Sequence, residues 1–447
     1  MLKPFFNNYL TYNIGNILTL GLAICLLPIY SRYLSPEEFG TVDLFLVIST
    51  FVHLTLALEI SQGLGRFYQD TKKQKEKKEY VSTAFWFTVL IYLLFFFFCF
   101  IFSEIFTFWL LLDVSKQNIF LLAIVAIITL KIFDFTQSQL KWQIQPKDSV
   151  IANLVYFFVL AGVTLYLLII KEFRVESVFI GQIMGSIIAS FVAFFFARKS
   201  YGFIFSVRKF KKMIFYSAPL ILSSISLVVA INIDRIAIKD LLGLEELGIY
   251  GVAYRFAAIA GLVVISFQES LTPLVFKNYK NKKTPSDISN IFNIFIIFAL
   301  FIVTGSILFS KEIIILFTTE IFYSSANLIS ILIMAIFFSH IFIFMPGLSI
   351  AKKTKLISLV TTSSAILNII LNYKLIPVFG LSGAAYATLI SSVSGFLLYL
   401  FLSNKYYPIP FKFKSILITC IIVLINNYIV INIFDEINLK SIFFKNI

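Results

Sequence analysis

Charged side chains stand inside otherwise apolar runs at several points of the sequence. Lys131 and Asp134 are three residues apart, Asp234 and Arg235 are adjacent, and Arg255 lies in the next apolar run. A charge at the depth of a bilayer costs at least about 2.5 kcal/mol on insertion scales, so each needs a partner or a polar cavity. An arginine guanidinium offers a planar, permanently charged fork to phosphate or carboxylate oxygens. These cations are therefore candidates for binding an anionic group.

Each cation also has a structural interpretation. Arg255 has no acidic residue three or four positions away, so it lines a cavity, pairs with another helix or reaches outward to the interface. Asp234 and Arg235 are consecutive and point to different sides of one helix, so one could pair with Arg255 and the other face a cavity. Lys131 and Asp134 are spaced to form their own salt bridge. We predict substrate-binding roles for Arg255, Arg235 and Lys131.

Acidic residues in the same segments are candidates for holding a coupling ion or for pairing with the cations. Glu59 and Glu269 lie toward the ends of two helices that occupy equivalent places in the chain, where solvation at the interface is an equal alternative. The acidic candidates are Asp234, Asp134, Glu59, Glu269 and Asp43.

Composition places these charges in a membrane protein. The chain of 447 residues is 59% hydrophobic and 13% charged, whereas a soluble domain carries about 25% charged residues. The first apolar segment is not followed by a small-residue cleavage site, so we expect a retained anchor. Its apolar runs predict an all-α polytopic fold with thirteen helices, at about 11–30, 42–64, 81–103, 119–137, 149–170, 177–197, 215–238, 248–272, 291–309, 327–345, 356–373, 383–403 and 416–434.

Loop charges test the helix count and predict the orientation. Of the 37 Lys and Arg residues, 25 lie at the N-terminus or in every second loop. The positive-inside rule therefore predicts a cytoplasmic N-terminus, and on thirteen spans the C-terminus lies outside. The three cysteines, Cys25, Cys99 and Cys420, have neither disulfide nor metal-ligand spacing, so we expect no metal and no cofactor.

One short stretch occurs twice at an offset of 208 residues. YLSPEEFGTVDLF at 33–45 aligns without a gap to LLGLEELGIYGVA at 241–253. Residues 35–38, Ser-Pro-Glu-Glu, form a predicted capping box with proline in the first turn, whereas Gly243 replaces the cap in the second copy. Both copies would be the outer loop between the first and second helices of a half, so we infer a duplicated bundle with parallel repeats.

The duplication predicts two pseudo-symmetric six-helix lobes, residues 1–205 and 206–404. Residues 405–447 would then form an extra transmembrane segment and a tail. No loop exceeds about 20 residues, so no soluble catalytic domain fits between the helices. A Walker-type phosphate loop does not occur either. We therefore expect a transporter rather than an enzyme, with no nucleic-acid partner.

Five stretches in order along the chain resemble the polysaccharide-biosynthesis flippases, the Wzx-type O-antigen and capsule-unit translocases of the multidrug/oligosaccharidyl-lipid/polysaccharide (MOP) superfamily. The stretches are PIYSRYLSPEEFGTVDLF (28–45), GLGRFYQD (63–70), INIDRIAIKDLLGLEELGIYGVAYRFA (231–257), EIIILFTTEIFYSSANLISIL (312–332) and ILNIILNYKLIPVFGLSGAAYATLIS (366–391).

The resemblance implies a MATE-like fold in the bacterial inner membrane. It implies that the chain moves an undecaprenyl-diphosphate-linked oligosaccharide from the cytoplasmic to the periplasmic leaflet by alternating access, with Arg255, Arg235 and Asp234 placed to build a cationic cavity. Membrane lipids, a coupling H⁺ or Na⁺ and a polysaccharide polymerase are the other partners that it suggests. Family members usually have twelve or fourteen spans, so a count of thirteen departs from the pattern.

Two other functions compete with this interpretation. A multidrug antiporter of the same superfamily would favour acidic cavity residues for cationic cargo, and Asp43, Asp134 and Asp234 are consistent with it. A membrane-embedded oligosaccharide polymerase or ligase would carry its chemistry on a long outer loop, which this chain lacks.

Overall fold

The computed structural model describes residues 26–143, 145–351 and 353–411, and within residues 219–277 it describes many positions by their backbone alone. All regular structure in these ranges is helical. The predicted spans at 416–434 and at most of 11–30 therefore lie outside the described residues.

The described chain forms fifteen helices, with short 3₁₀ turns between some of them. We number them α1 (26–33, its described part), α2 (Pro36–Leu56), α3 (Ile60–Asp70), α4 (Gln74–Ile101), α5 (Ser103–Leu111), α6 (Gln117–Trp142), α7 (Pro146–Ile169), α8 (Val175–Ala197), α9 (Val207–Leu241), α10 (Leu244–Asn278), α11 (Thr284–Phe317), α12 (Ala326–His340), α13 (Gly347–Ile350), α14 (Thr354–Phe379) and α15 (Leu381–Asn404).

Nine helical segments in the described ranges are long and apolar enough to cross a bilayer. Most of their observed ends lie outside the predicted spans, by up to eight residues, as in α11, predicted at 291–309 and observed at Thr284–Phe317. Polar residues at both ends continue the helix beyond the apolar core, because backbone hydrogen bonding does not stop where hydrophobicity does. The all-α polytopic prediction is confirmed, and the chain is a multi-pass membrane protein.

The duplicated stretch has the same helix–turn–helix form in both copies. One helix ends at Tyr33 and the next begins at Pro36, and 208 residues later α9 ends at Leu241 and α10 begins at Leu244. Equal boundaries at a constant offset are expected of a structural repeat. Gly243, at the turn of the second copy, has φ of +101°, which a glycine adopts without steric cost.

The capping box of the first copy is formed as predicted. The Ser35 hydroxyl accepts from the Glu38 amide at 3.3 Å, and the Glu38 carboxylate accepts from the Ser35 amide at 2.7 Å. Glu38 also accepts a 2.7 Å hydrogen bond from Nε of Arg174, which raises the pKa of that guanidinium above its ordinary value. The start of α2 is therefore tied both to itself and to the residue that precedes α8.

The prediction of one continuous helix over 42–64 is wrong. The structure breaks it into α2 and α3 at residues 57–59, where Leu58 and Glu59 both have positive φ, at 49° and 52°. A left-handed backbone costs an L-residue roughly 1–2 kcal/mol, so other contacts must hold it. The Ser217 hydroxyl on α9 donates to the Glu59 carbonyl at 3.0 Å and satisfies one of the acceptors that the break exposes.

The chain divides into two compact units, Met1–Val228 and Val229–Ile447. In the first unit α8 packs against both α6 and α7. A β-carbon at Gly181 would lie 2.0 Å from the Thr164 hydroxyl, and one at Gly185 would lie 2.9 Å from the Tyr156 carbonyl. The two glycines therefore form a packing surface that lets α8 approach α7 closely, as their spacing predicts.

In the second unit α15 packs against α14 and α12, and α12 packs in turn against α10. Gly383 lies in the first turn of α15, where a β-carbon would come within 2.3 Å of the Leu375 carbonyl on α14. This glycine and the buried alanines that follow it form a small-residue packing surface on α15. The lobe boundary between residues 205 and 206 stays a prediction.

Candidate functional site

A polar cavity of about 230 Å³ lies inside the first unit. It is bounded by α4, by α6 and by the region where α2 breaks into α3. A helix break supplies space and polar backbone inside a bundle, which is where irregular backbone is tolerated at membrane depth. The polar residues that line it are His53, Ser61, Thr88, Tyr92, Lys131, Asp134, Gln137, Ser138 and Lys141.

The predicted pair of Lys131 and Asp134 forms a salt bridge on this cavity. Nζ of Lys131 donates to Oδ2 of Asp134 at 2.9 Å, and the two side chains are 10% and 37% exposed. The ammonium is thus almost buried, whereas the carboxylate remains accessible from the cavity. The structure therefore places one half-accessible acid beside one buried cation, an arrangement able to exchange an ion or proton at the acid.

Of the polar lining residues that were missed from the sequence, two lie on the same helix face as this pair. Ser138 and Lys141 follow Lys131 and Asp134 at positions i+7 and i+10 and line the same cavity. Residues at i, i+3, i+7 and i+10 share one face of a helix, so their spacing indicates a polar stripe along that face. Both residues lie beyond 137, the predicted end of the helix, whereas α6 continues to Trp142.

Of the other acidic candidates in this unit, neither joins the cavity wall. Glu59 is buried at the helix break, where its backbone rather than its carboxylate makes the described contact to Ser217. Asp43 is buried on α2. His53 on α2 also lines the cavity.

In the second unit Asp234 is held by fixed donors on α9 and α10. Its carboxylate accepts from the Tyr250 hydroxyl at 2.5 Å and from the Arg235 amide at 2.8 Å, and the residue is 3% exposed. A buried carboxylate needs such donors because it has lost its water. Tyr250 could not be chosen from the sequence, since only the crossing of two helices brings it to Asp234.

Arg235 lies beside this carboxylate and is oriented by two contacts. Nη1 donates to Oδ1 of Asn232 at 3.0 Å, and the guanidinium carbon lies 4.2 Å from the ring centroid of Tyr254. Tyr250 and Tyr254 are four residues apart, so adjacent residues of α9 contact one face of α10. Arg255 follows Tyr254 on α10 and is half-buried.

A polar network that sequence reasoning missed lies between α14 and α15. Nδ2 of Asn368 donates to the Ser391 hydroxyl at 2.9 Å, and Nδ2 of Asn372 donates to the Asn368 carbonyl at 2.9 Å. Both asparagines are buried. Two asparagines four residues apart in an apolar run were the available signal, because both must lie on one helix face. Glu269 belongs to α10, and its side chain is outside the described residues.

Two family models match the chain. The model of the polysaccharide biosynthesis proteins matches residues 5–279, and the MatE model matches residues 219–374. The succinoglycan biosynthesis transport protein ExoT of Rhizobium meliloti (strain 1021) is 26% identical over 249 residues, which is 56% of this chain. The match spans about half of that relative, 49% of its length.

Solved transporters share the fold. The lipid II flippase MurJ in an inward closed conformation superimposes with a TM-score of 0.75 at 18% identity, over 97% of this chain and 99% of that one. An inward-facing multidrug resistance MATE family transporter of the MOP superfamily has a TM-score of 0.68 at 12% identity, over 87% and 93% of the two chains. Since one family model covers more than half of the sequence, the chain belongs to the polysaccharide biosynthesis protein family, as the resemblance predicted, and it has the MOP-type fold.

Proposed function

We propose that this protein is a flippase for undecaprenyl-diphosphate-linked oligosaccharide repeat units. It moves them by alternating access from the cytoplasmic to the periplasmic leaflet of a bacterial inner membrane, for O-antigen or other surface polysaccharide assembly. Its N-terminus lies in the cytoplasm, in agreement with the loop charges. The observation that carries the proposal is the polysaccharide biosynthesis match over residues 5–279 of a chain with repeated membrane spans.

The cargo sets the physical problem that such a protein solves. A diphosphate and its sugars lose water in hydrocarbon, and each unpaired polar group costs several kcal/mol there, about 4–8 kcal/mol for an amide or hydroxyl in a fully apolar solvent. The protein must offer replacement donors and cations along the path. The polyprenyl tail has no such need and can remain in the bilayer while the head group moves.

Arg235 is suited to the diphosphate. Asn232 and Tyr254 orient its guanidinium, so less side-chain freedom is lost when a ligand binds than for a mobile lysine. The neighbouring carboxylate of Asp234 offsets the arginine's charge in the absence of cargo. We assign Arg255 and Lys131 supporting roles as further cations on the path of the head group.

The acid on the polar cavity of the first unit is the candidate for coupling. Asp134 is the more exposed member of its salt bridge, so it can take up H⁺ or Na⁺ without first leaving a dry environment. One elementary charge that crosses 100 mV of membrane potential provides about 2.3 kcal/mol. A single ion per cycle would therefore bias transport outward by roughly fiftyfold.

A cation antiporter is the second candidate, and the MatE match over residues 219–374 favours it. In that case the acids, Asp234 and Asp134, bind the cargo or exchange it for an ion. The two functions differ in the sign of the cargo, and this difference is what an experiment can measure.

The test is head-group translocation by the purified full chain in liposomes. A labelled undecaprenyl-diphosphate oligosaccharide is incorporated, and a membrane-impermeant reagent reports how much of the head group is accessible over time, with and without H⁺ or Na⁺ gradients. We expect protein-dependent translocation that Arg235→Gln lowers at least tenfold. Lys374→Gln is the matched control, because it removes a cation from an exposed position on α14 and should leave the rate unchanged.

One result would overturn the flippase proposal, and another would overturn the role assigned to Arg235. The absence of head-group movement, together with gradient-driven uptake of a cationic dye, would assign the antiporter function. Equal flipping rates for Arg235→Gln and Lys374→Gln would remove Arg235 from the substrate path while leaving the flippase function in place.

A further inference from the structure

The first unit carries a second cavity that the transport proposal does not use. It is a groove of about 460 Å³ on the outside of the helical packing, and its walls come from α4, α6, α8 and the segment that follows α8. The loop charges predict that this end of the unit lies at the cytoplasmic interface. The lining residues are Phe85, Trp86, Thr129, Ile132, Thr136 and Ile187, together with Ser190, Phe191, Phe194 and 201–203.

Half of the residues that line the groove are aromatic. The Trp86 ring stacks on Phe203 with centroids 5.3 Å apart, and Phe194 stacks on Tyr201 at 4.6 Å. Phe203 is 94% exposed, so it projects from the unit rather than filling it. The Trp86 indole donates to the Gly202 carbonyl at 2.9 Å, which fixes this segment beside α4. The groove therefore has a mainly apolar wall, held in part by ring stacking and by the Trp86 hydrogen bond.

Two hydroxyls in the wall have no hydrogen-bond partner among the described residues. Thr129 and Thr136 also line the groove, but each donates to a carbonyl of its own helix, at 3.0 and 2.9 Å. The hydroxyl oxygens of Ser190 and Tyr201 are buried and unpaired, and Tyr201 as a whole is 7% exposed. An unpaired buried hydroxyl costs about 1–3 kcal/mol, which an acceptor from a ligand would recover.

Cations border the groove at the same end. The Lys78 side chain lies against Gly202, where a β-carbon would come within 2.7 Å of its Cε and 3.5 Å of its Nζ. Arg198 lies 4.2 Å above the ring of Phe195, one residue after the groove-lining Phe194, and Lys199 is exposed beside it. A groove that is apolar in its depth and cationic at its border is complementary to an anionic amphiphile.

We propose that this groove binds one anionic glycerophospholipid, with an acyl chain in the groove, an ester carbonyl accepting from Tyr201 or Ser190, and the phosphate near Lys78 and Arg198. The hydroxyls of Ser190 and Tyr201 favour this lipid over a polyprenyl chain, because an isoprenoid hydrocarbon offers them no hydrogen-bond acceptor below its phosphate. An ester lipid has its carbonyls just beneath the head group, and Tyr201 precedes Gly202, against which the Lys78 side chain lies, while Ser190 lines the same groove. The site is distinct from the proposed substrate path and does not depend on it.

Native mass spectrometry of the purified full chain tests the proposal. Micelles are titrated with dioleoylphosphatidylglycerol, and the occupancy of the first bound lipid gives its affinity. We expect Tyr201→Phe and Ser190→Ala each to weaken that first binding about fivefold, the effect of one ordinary hydrogen bond. Tyr166→Phe, at an exposed tyrosine on α7, is the matched control and should leave it unchanged.

Lipids of different chemistry distinguish between the possible occupants of the groove. The diphytanyl ether analogue of the same lipid lacks the carbonyls, so it should bind more weakly and be insensitive to Tyr201→Phe. Dioleoylphosphatidylcholine, which has no net charge, should also bind more weakly. Unchanged affinity in both hydroxyl variants, or tighter and variant-sensitive binding of undecaprenyl phosphate, would overturn the assignment. Both variants keep the ring or the small side chain that packs, so their folding is checked by circular dichroism in the same micelles.

Discussion

Removing one partner of the salt bridge on the polar cavity should cost more stability than removing the other. Asp134→Asn removes the countercharge of a Lys131 ammonium whose side chain is 10% exposed, 2.9 Å away. Loss of a partner costs less than about 1 kcal/mol for an exposed pair and about 3–5 kcal/mol for a buried one. Because only the cation is buried, we expect an intermediate cost of about 2–3 kcal/mol in the free energy of unfolding.

The reverse substitution should cost less. Lys131→Met leaves an Asp134 carboxylate that is 37% exposed and can be solvated through the cavity. A methionine also retains most of the volume and the apolar contacts of the lysine stem. We expect a cost of at most about 1 kcal/mol. The double variant leaves no buried charge, so it should be more stable than Asp134→Asn alone.

The assay is unfolding by SDS in mixed micelles, followed by far-ultraviolet circular dichroism for the four members of this double-mutant cycle. Each curve is compared at equal detergent and protein concentration, and reversibility is checked by dilution. Equal costs for the two single variants would refute the reasoning, because they would show that burial of the ammonium does not control the pair. The reasoning would also be refuted if the double variant were no more stable than Asp134→Asn.

Other substitutions test the packing and capping that position the sites, in the same unfolding assay. Gly181→Ala should destabilise the protein by several kcal/mol or rearrange α8. Gly162→Ala has open space around it, so it should be neutral or stabilise the protein by up to about 1 kcal/mol. Equal effects of the two substitutions would contradict the close approach of α8 to α7. Ser35→Ala removes the cap of α2 and should cost about 1 kcal/mol; no loss would mean that the cap is redundant. Tyr250→Phe removes a donor to the buried Asp234 carboxylate and should cost about 1.5–3 kcal/mol of stability. Tyr254→Phe keeps its ring against the Arg235 guanidinium and should cost less. The reverse order would contradict the hydrogen bond from Tyr250 to Asp234.

Among the described residues, the sequence was sufficient for the approximate positions of most membrane-spanning helices, although not for the break between α2 and α3. A transmembrane helix needs about 20 consecutive apolar residues. Each span is therefore a continuous segment of the sequence and can be counted along the chain. The capping box at Ser35 and the glycine surface of α8 were predictable for the same reason, since every interacting residue lies within four positions or on one helix face. The salt bridge of Lys131 with Asp134 also belongs to this class.

The tertiary structure alone decided the features that depend on a second helix. Residues 57–59, Ala-Leu-Glu, contain no proline or glycine, yet the helix breaks there and α9 supplies a donor through Ser217. Tyr250 contacts Asp234 only where two helices cross. The Tyr201 hydroxyl is a candidate donor only because the described part of the structure gives it no hydrogen-bond partner. Local hydrophobicity determines which segments enter the membrane, but it contains no information about which faces meet. That choice follows from shape and hydrogen bonding between segments far apart in sequence.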